Sequence, residues 1–249
     1  METIIGSYEP ITLEEMSSIR LMNRIDTKFV TTLPRLRELL LMARDDYYVQ
    51  QTEGERNMHY ATTYFDTQHF DMYCCHQTGH ANRQKIRFRT YVDSHLQFME
   101  VKTKNNHGRT KKKRMEVTNM DLDDRQKRLF LEHHLRYDVD ELRPAIENRF
   151  RRMTLVNRAR TERLTIDTDL HFHNLVTGEE RHMGPLVIIE LKRDGLCHSS
   201  VLAMLRQLRV HPHGFSKYCM GSALTNKQLP VNLFKPKLID VRRILDIAE

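Results

Sequence analysis

The stretch Arg83–Lys104, RQKIRFRTYVDSHLQFMEVKTK, decides the fold of this chain. Both halves alternate between charged or polar and apolar residues, and a period of two is typical of a β-strand. Cations occupy every second position of the first half, namely Arg83, Lys85, Arg87 and Arg89. In the second half Glu100 and Lys102 share a face that lies opposite Val101. Asp93-Ser94 favours a turn, so the stretch predicts a β-hairpin with one charged face.

Other segments repeat this division into an ionic and an apolar face. Arg163–Leu170 alternates, with one face formed by Arg163, Thr165, Asp167 and Asp169 and the other by Leu164, Ile166 and Leu170. Leu186–Lys192 places Glu190 and Lys192 on one face. Further strands are predicted around Asp26 and Lys28, in the basic run before Met115, and as a bulged strand over Pro144–Val156. Helices are predicted after Thr12, with Glu15 completing a capping box, after Thr32, and over Asp121–Leu135.

Composition narrows the class of protein. The 249 residues fit one large domain, and no internal repeat or low-complexity linker divides them. Forty Lys and Arg against 33 Asp and Glu give a net charge of +7, which favours polyanionic partners. No run approaches the roughly 18 apolar residues of a membrane span, and no signal peptide is visible. The four cysteines lack C-x-x-C spacing, so we expect neither a disulfide framework nor a zinc knuckle, and the cytoplasm is the expected compartment.

A sheet with several basic faces allows two interpretations. An open antiparallel sheet could expose these faces to water. Alternatively, the fold is α+β, with a closed antiparallel β tunnel that has a basic interior and is surrounded by helices. Inward guanidinium and ammonium groups are tolerable if an anion fills the space, and phosphate chains fit because Arg binds phosphate oxygens bidentately. The regularity of the basic faces favours the tunnel.

Two Glu-x-Lys pairs, Glu100-x-Lys102 and Glu190-x-Lys192, place a carboxylate beside an ammonium on one strand face. Each could be an ordinary same-face salt bridge. In a phosphate-filled tunnel, an isolated carboxylate among cations is also suited to hold Mg²⁺ or Mn²⁺ together with phosphate oxygens. Both glutamates are therefore candidate metal ligands.

The motifs RIDTKF, YFDT, RQKIRFRTY, FMEVK, KKKR, RMTLVN, RLTID, VIIELK and FSKY occur in this order. Together they resemble the VTC domain, the polyphosphate-polymerase branch of the triphosphate tunnel metalloenzymes, over roughly Asn23 to Gly221. The resemblance implies a single domain over residues 1–249, with a core at about 23–221 and a C-terminal tail helix at 238–247. It also implies a metal-dependent transferase that moves the γ-phosphate of ATP onto inorganic polyphosphate, with Mn²⁺ or Mg²⁺ as cofactor.

The resemblance assigns roles to residues of the charged faces. It implies that phosphates are bound by Lys28, Arg87, Arg89, Lys102, Arg152, Arg163, Lys192 and Lys217. It implies that Glu190 is the metal-binding carboxylate, and Lys85, Lys112 and Arg114 are further candidates for binding the phosphates. The tunnel hydrolases and cyclases carry an N-terminal E-x-E-x-K where this chain has Arg24-Ile25-Asp26-Thr27-Lys28, as expected for the more basic polymerase branch.

The sequence contains neither an SPX-type regulatory segment nor membrane helices, so we expect the bare catalytic module. Any coupling to a membrane, at its inner face, would need a separate membrane protein partner. Two alternatives remain within the fold: a triphosphate or polyphosphate hydrolase, and a non-catalytic polyphosphate-binding module.

Three other sequence features give at most weak signals for nucleic-acid binding, histidine-bound metal or P-loop ATPase activity. Lys111–Arg114 lacks the aromatic stacking set of a nucleic-acid reader, so no specific nucleic-acid partner is expected. The pairs His133-His134, His171-x-His173 and His211-x-His213 could ligate a metal, but surface histidines are the commoner reading. No G-x-x-x-x-G-K motif is present, which argues against a P-loop ATPase.

Overall fold

A computed structural model describes residues 1–17, 19, 24–107 and 109–246. The strands are β1 (Pro10–Ile11), β2 (Arg24–Thr32), β3 (Tyr47–Gln50), β4 (Met58–Thr67), β5 (Arg83–Tyr91), β6 (Leu96–Lys104), β7 (Thr110–Val117), β8 (Leu142–Asn157), β9 (Glu162–Asn174), β10 (Glu180–His182) and β11 (Leu186–Asp194). The helices are α1 (Glu2–Gly6), α2 (Leu13–Ser17), α3 (Leu33–Ala43), α4 (Asp71–Gln77), α5 (Arg125–His134), α6 (Ser200–Gln207), α7 (Lys217–Thr225) and α8 (Lys235–Asp246). No helix among the described residues combines the length and hydropathy that crossing a membrane requires.

The strands form one sheet in the order β2-β11-β9-β8-β4-β5-β6-β7, with antiparallel neighbours throughout this path. The short strands β1, β3 and β10 lie off the path, and β1 pairs with β3 in parallel. The α+β class and the antiparallel sheet are confirmed. Within the described residues, no strand joins β2 to β7. In this part of the chain, the outer edge of β2 carries one isolated bridge, between Phe29 and Pro212, and the outer edge of β7 pairs with no other strand, so closure of the sheet stays a prediction.

The sheet curls around the start of α7. Lys28 on β2 donates to the carbonyl oxygen of Phe215 at 3.1 Å, and Lys85 on β5 donates to Ser216 Oγ at 2.7 Å. Four strands lie between β2 and β5, and a flat sheet would hold the two about 24 Å apart. Because both lysines contact adjacent residues, the sheet must bend into a half-barrel.

Helices cover the convex, apolar face. Leu36, Leu40 and Leu205 of α3 and α6 pack on inner-strand residues such as Ile166 and Ile189. A second cluster packs Leu131 of α5 against the apolar side of the hairpin and β7, formed by Ile86, Phe88, Met99, Val101, Met115 and Val117. Burying each such side chain contributes about 1.5–3 kcal/mol, so the apolar face fixes which face of the hairpin points inward.

The predicted hairpin and the position of its turn are confirmed. Strands β5 and β6 flank the turn Val92–His95, and Arg87 lies opposite Glu100. Glu190 and Lys192 share their face with Ile188, as the alternation of β11 predicts, because Val187 and Ile189 pack on the convex side instead.

The predicted position of Leu170 on the apolar face of the sheet was wrong. Leu170 does not share the convex face with Leu164 and Ile166, because it packs in a third cluster with Phe172 and Tyr218, residues of β9 and α7. The β8–β9 register shifts between Arg149 and Arg151, opposite Asp169, whose φ is +52°. This bulge inserts one residue and inverts the alternation beyond it.

The predicted helices differ at their ends. The capping box is confirmed, since Thr12 N donates to Glu15 Oε2 at 2.9 Å and Glu15 N donates to Thr12 Oγ1 at 3.2 Å. Helix α5 begins at Arg125 rather than Asp121, because Asp124 accepts two backbone N–H bonds and acts as the cap. The tail helix α8 begins three residues earlier than predicted, and the predicted limits at Asn23 and residue 247 lie outside the described residues.

Candidate functional site

The face of the sheet opposite the helix-covered side carries the predicted site residues, and we call it the charged face. Its strand register places a carboxylate beside a cation at several points. Glu190 lies opposite Lys28, Glu100 lies opposite Arg87, and Asp167 lies opposite Arg152. Each pair therefore follows from period-two alternation on neighbouring strands.

Asp167 forms one of two deeply buried ion pairs on this face, with cations from β8 and α7. Its carboxylate accepts hydrogen bonds from Arg152 Nε at 2.6 Å and Arg152 Nη2 at 2.8 Å, and it also accepts one from Lys217 Nζ. Burial alone would raise the pKa of Asp167, but the charges of Arg152 and Lys217 outweigh it and hold the pKa below its usual value. Burial lowers the pKa of Lys217 to about 7, an effect that Asp167 partly offsets.

Aromatic rings support these cations. The guanidinium of Arg152 lies 5.2 Å from the centroid of the Tyr60 ring, and Lys217 Nζ lies 3.8 Å from that of Phe150. Such contacts compensate part of the cost of removing a cation from water. They also keep both head groups on the charged face.

Glu100 holds a second ion pair on the hairpin. Its side chain is 1% exposed, and its two oxygens accept from Arg87 Nη2 at 2.5 Å and Lys112 Nζ at 3.0 Å. Burial would raise the pKa of Glu100, but Arg87, Arg89 and Lys112 together hold it below its usual value. Both carboxylate oxygens are thus engaged, which leaves Glu100 poorly placed to bind a metal.

Glu190 is more accessible. Its side chain is 23% exposed, and its oxygens lie 3.8 Å from Lys28 Nζ and 3.1 Å from Lys192 Nζ. Burial would raise the pKa of Glu190, but Lys192, Lys28 and Arg152 hold it below the usual value. An ionised, partly exposed carboxylate, one of whose oxygens has its cation only at 3.8 Å, fits a hard divalent cation, which usually binds one or two carboxylates plus phosphate oxygens.

Arg89 and Lys102 of the charged face form no ion pair with a described carboxylate. Arg89 is 8% exposed, forms no ion pair with a described residue, and has a buried Nε without a hydrogen-bond partner. Thr62, opposite Arg89 on β4, likewise has a buried, unpartnered Oγ1. Lys102 also lacks an ion pair within the described chain, and the charge of Arg87 together with burial lowers its pKa well below the usual value.

The structure brings most of the predicted residues into one electrostatic cluster. Lys102 on β6 lies close enough to Glu190 on β11 for that carboxylate to raise its pKa in part, across the curl of the sheet. The cluster contains Lys28, Arg87, Arg89, Glu100, Lys102, Lys112, Arg152, Glu190, Lys192 and Lys217. Lys85 borders it at Ser216.

Arg163 and Arg114 lie apart from this cluster. Arg163 donates to the carbonyl oxygen of Met16 at 3.2 Å, and burial and the charge of Arg24 lower its pKa. Arg114 is exposed and stacks on Phe98, with 4.8 Å between its guanidinium carbon and the ring centroid. These two predicted phosphate ligands therefore stand at the margins of the charged face.

Sequence reasoning did not single out Asp167, Tyr60 or Phe150 as site residues. Asp167 had a usable signal, since it alternates with Arg163 and Thr165 on the charged face. The two aromatic residues had none, because their contacts with Arg152 and Lys217 depend on how β4, β8 and α7 meet.

The VTC domain family model matches residues 23–226 of the chain. This chain belongs to the VTC domain family. A search of curated protein sequences found no match to this VTC domain.

Solved structures similar to the VTC domain come from a bacterium, a plant and a yeast. A candidate adenylate cyclase of Bacillus halodurans has a TM-score of 0.48 at 14% identity, covering 78% of this chain and 96% of its own. A Hippeastrum protein described as having a dominant triphosphatase activity has a TM-score of 0.43 at 12% identity, covering 84% and 99%. The Schizosaccharomyces pombe RNA triphosphatase Pct1 has a TM-score of 0.33 at 10% identity, covering 92% and 88%.

Proposed function

We propose that this VTC domain is a polyphosphate polymerase, which transfers the γ-phosphate of ATP to inorganic polyphosphate on the charged face. The observation that carries the proposal is Arg89, a buried guanidinium that forms no ion pair with a carboxylate in the described part of the chain. An unpaired buried charge is costly, so a protein retains one where a ligand of opposite charge completes the pair. Thr62 Oγ1 beside it offers a hydroxyl to the same ligand.

A chain of phosphates suits this face better than a single anion. Arg89 and Lys102 lie on neighbouring strands, and the paired cations Arg152 and Lys217 extend the positive surface toward α7. Phosphate oxygens can accept from several of these donors at once, and Arg matches them bidentately. The predicted phosphate ligands are Lys28, Arg87, Arg89, Lys102, Arg152, Arg163, Lys192 and Lys217, with Lys85, Lys112 and Arg114 at the periphery.

The buried carboxylates favour transfer to phosphate over transfer to water. Glu100, Asp167 and Glu190 all have pKa values held below the usual carboxyl range by neighbouring cations. Such carboxylates are weak general bases, so they would activate water poorly at neutral pH. A terminal phosphate oxygen is already anionic and needs no base, so it can attack once it is positioned.

The proposed step is a phosphoryl transfer between two polyanions. A terminal oxygen of polyphosphate forms a bond to the γ-phosphorus of ATP, and the bond from that phosphorus to the β–γ bridging oxygen breaks, so ADP leaves. Arg87, Arg89 and Lys102 would hold the phosphates in line, and their charges would stabilise negative charge in the transition state.

Glu190 fits the divalent metal that the family implies, whereas both oxygens of Glu100 already accept from cations. We therefore assign Mn²⁺ or Mg²⁺ to Glu190, and the role of Glu100 as a metal ligand stays a prediction. When bound, the ion would offset charge on the phosphates and orient them.

Incubation with ATP and Mn²⁺, with products resolved by chain length, tests the proposal. We expect ADP and long-chain polyphosphate, and we expect both to disappear in Glu190→Gln. The exposed Arg149→Met serves as a control that keeps activity. Orthophosphate released from tripolyphosphate without chain growth would instead indicate a hydrolase, and tight polyphosphate binding without turnover would indicate a non-catalytic module.

Three further assignments rest on the same proposal. Residues 1–249 act as one domain, the protein works in the cytoplasm, and attachment to the inner face of a membrane uses a separate protein. Activity of the isolated chain on ATP without lipid would support the first. Fractionation of cells with and without detergent would test the other two.

A further inference from the structure

The hairpin of β9 and β10 carries a cluster of metal-ligand side chains outside the charged face. His182 lies opposite His171, and Glu180 precedes His182 by two positions on the same side of β10. One ligand atom from each of these three residues lies within 4.8 Å of the other two. The cluster is on the other side of β9 from Phe172, which packs against α7.

The contacts inside the cluster leave one buried nitrogen, Nε2 of His171, without a hydrogen bond to any described residue. The rings of His171 and His182 stack with 4.0 Å between their centroids and 17° between their planes. His171 Nε2 lies 3.3 Å from Glu180 Oε2, yet it makes no hydrogen bond to any residue that the structure describes. A buried polar atom without a hydrogen bond costs free energy, and an ion held between this nitrogen and the Glu180 carboxylate would remove that cost.

We propose that His171, Glu180 and His182 form a binding site for a divalent transition metal of the zinc class. Two imidazoles and one carboxylate are a common donor set for Zn²⁺, with a fourth position left to water. Imidazole also favours zinc-like ions over Mg²⁺ and Mn²⁺, which prefer oxygen ligands. The site therefore differs in metal preference from Glu190.

The spacing allows this coordination after small side-chain rotations. Bonds of about 2.0–2.1 Å in a tetrahedron place the ligand atoms about 3.4 Å apart. Glu180 and His182 are exposed and can rotate, whereas half-buried His171 supplies the fixed ligand. Arg149, opposite His171 on β8, is paired with Glu147 at 2.5 Å, so its charge opposes the ion less.

The ion would tie a short strand to the sheet. Strand β10 has three residues and pairs with β9 alone in the described part of the chain. It also contacts α7, whose first residue is Lys217 of the charged face. Metal binding would thus stiffen the support of α7 without taking part in the transfer.

Titration of the metal-free full chain with ZnCl₂ by calorimetry, and with Co²⁺ by visible absorption, tests the site. We expect the chain to bind one equivalent of Zn²⁺ and to give the visible spectrum of tetrahedral Co²⁺. Both results should be retained in Glu190→Gln. His182→Ala and Glu180→Gln, at exposed positions, should each weaken binding at least about tenfold, while the exposed His69→Ala should not change it.

Circular dichroism would confirm that each variant folds. If His171→Ala fails to fold, the two exposed variants decide the question. Zinc affinity that is unchanged in a His182→Ala, Glu180→Gln double variant would overturn the proposal, as would a wild-type chain that binds no zinc. A rise in Tm with Zn²⁺ that the double variant loses would support the structural role.

Discussion

The carboxylate of Asp167 joins the guanidinium of Arg152 through two hydrogen bonds of 2.6 and 2.8 Å. Lys217 completes the group from α7, so one buried anion orders two cations from different elements. Asp167 therefore acts as the internal counter-ion of the charged face in the absence of ligand.

Asp167→Asn should destabilise the free protein by about 3–5 kcal/mol, because it leaves Arg152 and Lys217 buried without a counter-ion. Urea unfolding would measure the loss, and tripolyphosphate should restore part of it. Glu38→Gln, which breaks the exposed pair with Arg35, should cost less than about 1 kcal/mol. Equal effects of the two variants would contradict the assigned role.

Arg89→Met should separate stability from binding. Removing an unpaired buried charge should leave the free energy of unfolding unchanged or raise it by about 1–3 kcal/mol. The same change should weaken tripolyphosphate binding about 10- to 100-fold, the value of hydrogen bonds to a charged group. Calorimetry and urea unfolding provide the two readouts, and a variant that loses stability but keeps affinity would refute the interpretation.

Glu190→Gln and Glu100→Gln should fail differently. Glu190→Gln should abolish turnover at every Mn²⁺ concentration while polyphosphate still binds. Glu100→Gln should mainly lower stability, because both of its oxygens accept from cations. Activity across a Mn²⁺ series, together with Tm, distinguishes them. The assignment of the metal would move to Glu100 if only that variant lost turnover at every Mn²⁺ concentration.

Lys217 should make phosphate binding depend on pH. Its pKa is about 7 in the folded chain, against about 10.4 in the unfolded chain. Between about pH 7 and pH 10.4, Lys217 is therefore mostly deprotonated in the folded chain and protonated in the unfolded chain. Stability of the free protein should therefore rise with pH in this window. Phosphate binding requires Lys217 to be protonated again, so the affinity for phosphate should fall by up to about tenfold for each pH unit above 7.

Calorimetry in buffers of different ionisation enthalpy would detect the proton uptake. Lys217→Arg provides the matched control, because a guanidinium stays protonated throughout this range. A pH profile that is as steep in Lys217→Arg as in the wild type would exclude Lys217 as its source.

Gly221→Ala should destabilise the fold by about 1–3 kcal/mol despite the better helix propensity of alanine. A Cβ at Gly221 in α7 would lie 2.5 Å from Phe172 Cδ1 and 2.8 Å from Ile146 Cδ1. Gly6→Ala, where a Cβ meets no atom within 4 Å, should be neutral or slightly stabilising. Thermal unfolding of both variants measures the difference, and a neutral Gly221→Ala would show that α7 can shift.

The sequence predicted the strands and most of their faces because alternation is a local signal. Glu190, Lys192 and the hairpin cations lie on the charged face as expected. Alternation could not predict the inversion at Leu170, because the bulge at Asp169 depends on the register of β8.

Which charged residues form ion pairs was less predictable than which face of the sheet they lie on. Glu100 and Glu190 occupy equivalent Glu-x-Lys motifs, yet one is buried between cations and the other stays partly exposed. That difference depends on the strands beside each motif and on the curl of the sheet. The contact between Lys217 and Asp167 likewise requires α7 to pack under β9, which no local pattern encodes.

The open edge at β7 has a consequence for the behaviour of the protein at high concentration. An unpaired strand edge can add a strand from another molecule, and lysines along it oppose that association. The exposed run Lys111–Arg114 occupies this edge, so two copies repel each other there. A bound polyanion would neutralise the repulsion, so we expect self-association through this edge to increase when a polyanion is added.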